Sequence, residues 1–324
     1  MKYQSLNGAL ATVFGENVHI VGKRPIYGGD INRSYRLSLS DGSSVFMKCN
    51  KLVNYPFFEK ETEGLAAPRS LGTIGVPKPF ASGVDETESI SFLLMEFLDA
   101  SPRRKDYWET LGRELALMHG CSTERFVMGR TYASDGSQIG DDESGGNKKG
   151  TASENNILRY GFYTDNYIGA TLQKNTPKSG WIEFFRDCRL VPQLQMAEKQ
   201  LGMRTRLKCE RLLERLDSLL EEPEFPSLLH GDLWSGNVVC GLDGKAWILD
   251  PAVYVGNFEA ELAMTELFGG YPDSFYRAYQ EINPIPSGYE ERRDLYNLYH
   301  MLNHLNLFGT AYLGEVNRIV GRYV

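Results

Sequence analysis

Three side chains within Leu229 to Asp250 are spaced for chemistry. The carboxylate of Asp232 is followed five residues later by the amide of Asn237, and thirteen residues beyond that by the carboxylate of Asp250. Phosphoryl transfer from a magnesium nucleotide needs such a set. One carboxylate orients or deprotonates an acceptor hydroxyl, while amide and carboxylate oxygens hold the metal on the phosphates. A single Asp in such a stretch more often caps a turn or ends a strand, so the reading rests on the whole constellation.

The elements that must position these groups can be read around them. Val238-Val239-Cys240 and Lys245 to Leu249 form two short strands joined by Gly241-Leu242-Asp243-Gly244, a hairpin that brings Asn237 and Asp250 to one end. Toward the N-terminus, a short helical segment precedes three antiparallel strands, Ile20 to Tyr27, Ser34 to Ser40 and Ser43 to Cys49. Gly28 and Gly29 sit in the first turn, where backbone N–H groups approach phosphates closely, although most glycine pairs between strands are plain turns. The third strand puts Lys48 on the face of Phe46, placed to pair with the α- and β-phosphates unless it is a solvated strand-end lysine. Phe58, Glu61 and Leu65 recur at helical spacing until Pro68, which is expected to break the helix. Glu61 is the first choice of partner for Lys48, and Glu63 the second. A buried strand from Ser91 then runs into Glu96-Phe97-Leu98, where the backbone at Glu96 and Leu98 would meet an adenine edge and link two lobes.

The second half reads as mainly helical. Tyr107 to His119 has Leu111, Leu115 and Met118 on one face, with His119 as a helix-terminal histidine. Ala133 to Glu154 has a single large apolar residue, Ile139, and is expected to be a flexible insertion, with a substrate lid as the alternative. Ile157 to Asn175 mixes rings and amides as a carbohydrate-like pocket does, or as a packed surface loop does. Ser179 to Leu220 is helical with a break near Gly202, and its last helix has a core face at 207, 212, 213, 216, 219 and 220. Asn257 would cap a helix over Phe258 to Phe268. The last large helix, Asp294 to Phe308, buries Leu295, Leu298, Leu302 and Leu305. Its other side, with Tyr296, His300, Asn303 and His304, is expected in solvent, or on the cleft floor of a two-lobed enzyme.

Composition narrows the classes. The 324 residues are 42% hydrophobic and 24% charged, as in ordinary globular proteins. A net charge of -7 argues against a nucleic-acid partner but not against an anionic nucleotide held by local lysines and a metal. The first residues do not read as a secretory signal, and no apolar run approaches the roughly 20 residues of a membrane span. Five cysteines without close-paired spacing suggest reduced thiols of a cytoplasmic protein. Pro251-Ala252 stands where protein kinases carry Phe-Gly after the metal-binding Asp, which argues against a peptide-kinase reading.

The segments HGDLWSGN (His230 to Asn237), DPAVYVGNFEAELAMTELFGG (Asp250 to Gly270), DNYIG (Asp165 to Gly169) and LYHMLNHLNLFG (Leu298 to Gly309) resemble the fructosamine kinase, or ketosamine 3-kinase, family. That family is a branch of the protein-kinase-like fold that also includes aminoglycoside phosphotransferases and choline kinases. The resemblance covers nearly the whole chain outside 133–154. It implies an α+β, two-lobed fold: residues 1–98 form a nucleotide-binding lobe with a small antiparallel sheet and one helix, and residues 99–324 form a larger, mainly helical lobe. It also implies ATP- and Mg2+-dependent phosphorylation of the 3-hydroxyl of a small or protein-bound ketosamine, by a monomer or weak dimer. In its terms Asp232 acts on the sugar hydroxyl, Asn237 and Asp250 bind magnesium, Lys48 with Glu61 holds the phosphates, and Trp234 and His304 contact the sugar. Three departures stand out. Asn257-Phe258 replaces an expected His-Arg pair, Glu261 replaces an Asp that braces the catalytic loop in related kinases, and Asp30 stands near the place of a redox-sensitive Cys in some members.

Overall fold

The computed structural model describes residues 2–27, 32–128 and 157–324. Gly28, Gly29, Asp30 and the 133–154 insertion lie outside the described residues.

The smaller lobe is built on strands with alternating faces. β1 (Lys2–Tyr3) and α1 (Leu6–Phe14) lead into β2 (Ile20–Ile26), β3 (Arg33–Leu39) and β4 (Ser44–Lys51). α2 (Tyr55–Arg69) separates β4 from β5 (Pro79–Asp85) and β6 (Ile90–Glu96). The sheet order is β1-β5-β6-β4-β3-β2, antiparallel apart from the β1–β5 edge. Val45, Met47 and Cys49 point into a core with Leu6, Leu10 and Phe92. By the period of two, Phe46 and Lys48 must face the other way, toward α2 and the cleft. Ser5 opens α1, its hydroxyl accepting the Gly8 N–H at 3.1 Å.

Pro68 does not break α2. It is buried in the last turn with Leu65 and Ala67, and the helix runs on to Arg69. Proline this near a helix end removes one main-chain donor, and the packing of the buried face outweighs that local preference.

The larger lobe continues with α3 (Tyr107–His119), α4 (Glu124–Met128) and the hairpin β7 (Asn166–Ile168) and β8 (Thr171–Gln173). A helical run follows: α5 (Trp181–Phe184), a π-helical stretch over Phe185–Leu190, α6 (Val191–Ala197), α7 (Met203–Glu214) and α8 (Leu216–Leu219). β9 (Ser227–Leu229), β10 (Val238–Cys240), β11 (Ala246–Ile248) and β12 (Tyr254–Gly256) carry the central loop. α9 (Phe258–Glu266), α10 (Asp273–Gln280), α11 (Tyr289–Phe308) and α12 (Leu313–Tyr323) close the lobe. α3 lies close against α10 at Gly112, where a Cβ would stand 2.4 Å from the Phe275 carbonyl oxygen.

Two expected faces are adjusted. Leu207 is 49% exposed, whereas Leu212, Leu216 and Leu220 of the same expected face are buried and Cys209 joins them. On α11, Tyr296 and His300 are buried rather than in solvent, while Asn303 and His304 line the cleft, as the two-lobed alternative has it. Neighbouring helices supply their partners: Asn257 donates its amide to Tyr296 Oη at 3.2 Å, and Gln193 donates to Asn303 Oδ1 at 3.1 Å. The five cysteines are unpaired, and among the described residues no helix is long and apolar enough to cross a membrane.

Candidate active site

The loop after β9 is held from both sides before it reaches Asp232. β9 pairs with β12, setting Leu229 opposite Tyr254. The Ala252 N–H donates to the His230 carbonyl at 2.8 Å. His230 Nε2 lies 2.8 Å from the Leu249 carbonyl, and the Asp232 N–H donates to His230 Nδ1 at 3.3 Å. Burial holds this imidazole below its ordinary pKa, and only a neutral ring has an Nδ1 able to accept. Gly231 has φ 81, and a Cβ there would stand 2.1 Å from the Ala252 carbonyl oxygen, so the turn admits only glycine.

The β10–β11 hairpin sets Val238 opposite Ile248, and the Leu249 N–H donates to the Asn237 carbonyl at 2.9 Å. Asn237 and Asp250 therefore meet at one end. The Asn237 amide donates to the Asp232 carbonyl at 2.8 Å and to its Oδ2 at 3.3 Å. Asp250 has φ 57, an uncommon backbone for a residue other than glycine, found where the surroundings dictate it.

Lys48 reaches this loop from β4. Its Nζ lies 2.6 Å from Glu61 Oε1 and 2.5 Å from Asp250 Oδ1, a pair separated by 202 positions in sequence. Burial opposes the ammonium charge, but Asp250 and Glu61 outweigh it and push the Lys48 pKa above the usual lysine range. Glu63 pairs with Lys60 instead, at 3.0 Å. Burial, then the charge of Asp250, pushes the Asp232 carboxyl up to about 7, with the Asn237 hydrogen bond opposing.

A cleft of about 680 Å³ collects Lys48, Glu61, Asp232, Trp234, Asn237, Asp250 and His304, together with Asn166 to Gly169. Glu96 and Leu98 do not line it. The Glu96 carboxylate accepts the Lys78 N–H at 3.0 Å, and Leu98 is half-buried beyond the end of β6.

Sequence reasoning missed the groups that hold the β7–β8 hairpin against Ala252 and Val253, just after Asp250. Asn166 donates to the Val253 carbonyl at 2.8 Å, and Gln173 donates to the Ala252 carbonyl at 2.9 Å and to Asn166 Oδ1 at 2.8 Å. Behind them Arg189, fully buried, donates to Asn175 Oδ1 and to two main-chain carbonyls and lies 3.9 Å from the Tyr254 ring centre. Its partners are main chain, amide and ring, so no charge pattern marks it. The amides did carry a signal, in the ring-and-amide mixture of 157–175.

His300 lies one turn behind His304, and its pKa is pushed down to about 3 by burial, by His304 and by Arg189. A histidine that resists protonation when folded adds nothing above its unfolded pKa of about 6.5 and destabilises progressively as pH falls from there toward 3. The expected slope from this group is about 1.4 kcal/mol per pH unit in that window. His300→Gln should flatten the pH dependence of urea midpoints between 6 and 4; an unchanged slope would show that His300 does not cause it.

A family model described as fructosamine kinase matches residues 2–134 and 150–324. The chain is 39% identical over 312 residues to the chloroplastic protein-ribulosamine 3-kinase of Oryza sativa subsp. indica, covering 96% of this chain and 81% of the relative. It is 34% identical over 320 residues to a Synechocystis protein provisionally named a ketoamine kinase, covering 98% and 95%. A crystal structure from Haemophilus somnus 129PT, provisionally named a fructosamine-3-kinase, superposes with a TM-score of 0.79 at 26% identity, over 99% of this chain and 97% of that one.

Proposed function

The chain belongs to the fructosamine kinase family, and from that premise we propose that it transfers the γ-phosphoryl group of ATP to the 3-hydroxyl of a ketosamine. The acceptor class is the fructosamine or ribulosamine adduct of an amine or a lysine side chain. The observation that carries this reading is the convergence of Asp232 with the Lys48–Asp250 pair in one cleft.

Each residue has a role that its surroundings allow. Asp232 accepts the proton of the sugar hydroxyl as its oxygen bonds to phosphorus and the bond to the departing ADP breaks. Lys48, fixed by Glu61, holds the phosphates. Trp234 and His304 contact the sugar. The donor set suits magnesium: Asn237 and Asp250 bring an amide oxygen and a carboxylate to one end of the hairpin in the cleft, and Mg2+ takes one or two carboxylates beside phosphates and water. Asn237 and Asp250 would hold it, where it neutralises phosphate charge. Phosphate at the 3-position then destabilises the adduct, which decomposes and frees the amine.

The test is a panel of acceptors with Mg-ATP: ribulosyl-lysine, fructosyl-lysine, an aminoglycoside and an amino alcohol. Turnover of a ketosamine, with the phosphate located at C3 by NMR, is expected. If no ketosamine is phosphorylated while another acceptor is, the proposal fails.

A further inference from the structure

Around Trp234 and His304 the cleft carries three further rings, Phe268, Phe308 and Tyr312, that have no part in phosphoryl transfer. Trp234 and Phe268 lie 6.1 Å apart between ring centres, Phe268 and His304 5.1 Å, and His304 lies 5.5 Å from Phe308 and 5.0 Å from Tyr312. All five line the cleft. Trp234, Phe268 and Phe308 keep 36, 43 and 52% of their surface exposed. A contiguous exposed apolar patch inside a cleft marks a binding surface.

The backbone gives up ease to place two of these rings. Phe268 has φ 56 and ψ 42, the left-handed region, and Gly269 and Gly270 follow with φ 105 and 69. Glycine or asparagine is the usual choice there, so the turn carries a phenylalanine against its own preference. Gly236 leaves space for the indole, since a Cβ there would stand 2.3 Å from the Trp234 ring.

The charges decide what the rings accept. None of the five side chains is acidic or strongly basic, and burial holds the His304 imidazole below its ordinary pKa. The lysines of the cleft are committed, Lys48 to Glu61 and Asp250 and Lys60 to Glu63. A carboxylate entering at this end would meet aromatic faces and no free cation among the described lining residues. Asp232, two residues before Trp234, fixes where the reacting hydroxyl sits; of the two parts of a ketosamine that lead away from C3, the tail of sugar carbons is covered in hydroxyls and only the substituent on nitrogen can offer the apolar surface that a run of rings takes. Resting on the ketosamine-kinase reading, the geometry points to Phe268, Phe308 and Tyr312 as the subsite for the amine-side carbon chain. It takes an uncharged methylene chain, such as that of a lysine adduct within a peptide, and disfavours a chain that ends in a carboxylate.

Ribulose adducts of methylamine, hexylamine and 6-aminohexanoate separate the terms, because sugar and reaction are constant. The wild type should show a KM for the hexylamine adduct about 10-fold below those of the other two, the effect expected of a few buried methylenes. In Phe268→Gly, which suits the left-handed backbone, and in Phe308→Ala, the ratio of the methylamine to the hexylamine KM should collapse toward one. Titration calorimetry of the same adducts without ATP should give the same ordering of Kd. Equal affinity of the wild type for all three adducts, or equal losses on all three in both variants, would overturn the subsite. Absence of turnover with chain-length-dependent binding intact would instead count against the kinase reading and uphold the subsite.

Discussion

Replacing Asp232 by asparagine is expected to lower kcat by about 10²- to 10⁴-fold, the range for loss of a positioned general base, while the Kd for ATP stays within a few-fold of wild type. The substitution keeps shape and leaves the main-chain carbonyl of residue 232 to accept the Asn237 amide. The contacts of Lys48, assigned to the phosphates, with Glu61 and Asp250 do not pass through the Asp232 side chain. What is lost is an oxygen able to take the hydroxyl proton, a deficit felt at the transition state rather than in nucleotide binding. Single-turnover formation of phosphorylated ketosamine, beside calorimetry with ATP, separates the two terms. A large loss of ATP affinity with residual turnover would move Asp232 from the acceptor side to the nucleotide side.

The parts of this site legible in sequence were those set by local rules. The hairpin that joins Asn237 to Asp250 follows from a turn of glycines between two short apolar runs, and its register is as that pattern requires. Lys48 and Glu61 were linked by strand alternation and helical spacing, and they meet at 2.6 Å. Asn257 accepts the Glu259 N–H at 2.9 Å, as its position before α9 suggested. What was not legible depends on which surface covers which. The polar side of α11 looks like a solvent face until Gln193 and Asn257 arrive from elsewhere in the chain to satisfy it. Pro68 looks like a stop until its own burial is known. Arg189 gives no sequence signal because its partners are carbonyls, an amide and rings. Phe268 sits within a segment singled out as a motif, yet only its left-handed backbone and its ring neighbours give that ring a role.

Glu261→Ala is the second large effect, and it addresses the position where this chain departs from the aspartate its resemblance led us to expect. Glu261 Oε2 accepts the Gly231 N–H at 3.0 Å, and Oε1 lies 3.4 Å from His119 Nε2, with both side chains fully enclosed. The longer glutamate therefore braces the turn just before Asp232 and also reaches back to the end of α3. Alanine would leave the Gly231 donor without its acceptor, and losing a buried acceptor of this kind costs about 3 kcal/mol. Thermal melts should show a Tm lower by about 5 to 10 °C. Because Gly231 adjoins Asp232, kcat should fall as well, at temperatures where the variant is fully folded, while KM for ATP changes little. Glutamine keeps an oxygen for the Gly231 N–H, so Glu261→Gln should recover most of kcat even if stability stays reduced. Glutamine as inactive as alanine would place the effect in the charge, and an alanine variant with wild-type kcat would show that the brace holds the fold and not the catalytic loop.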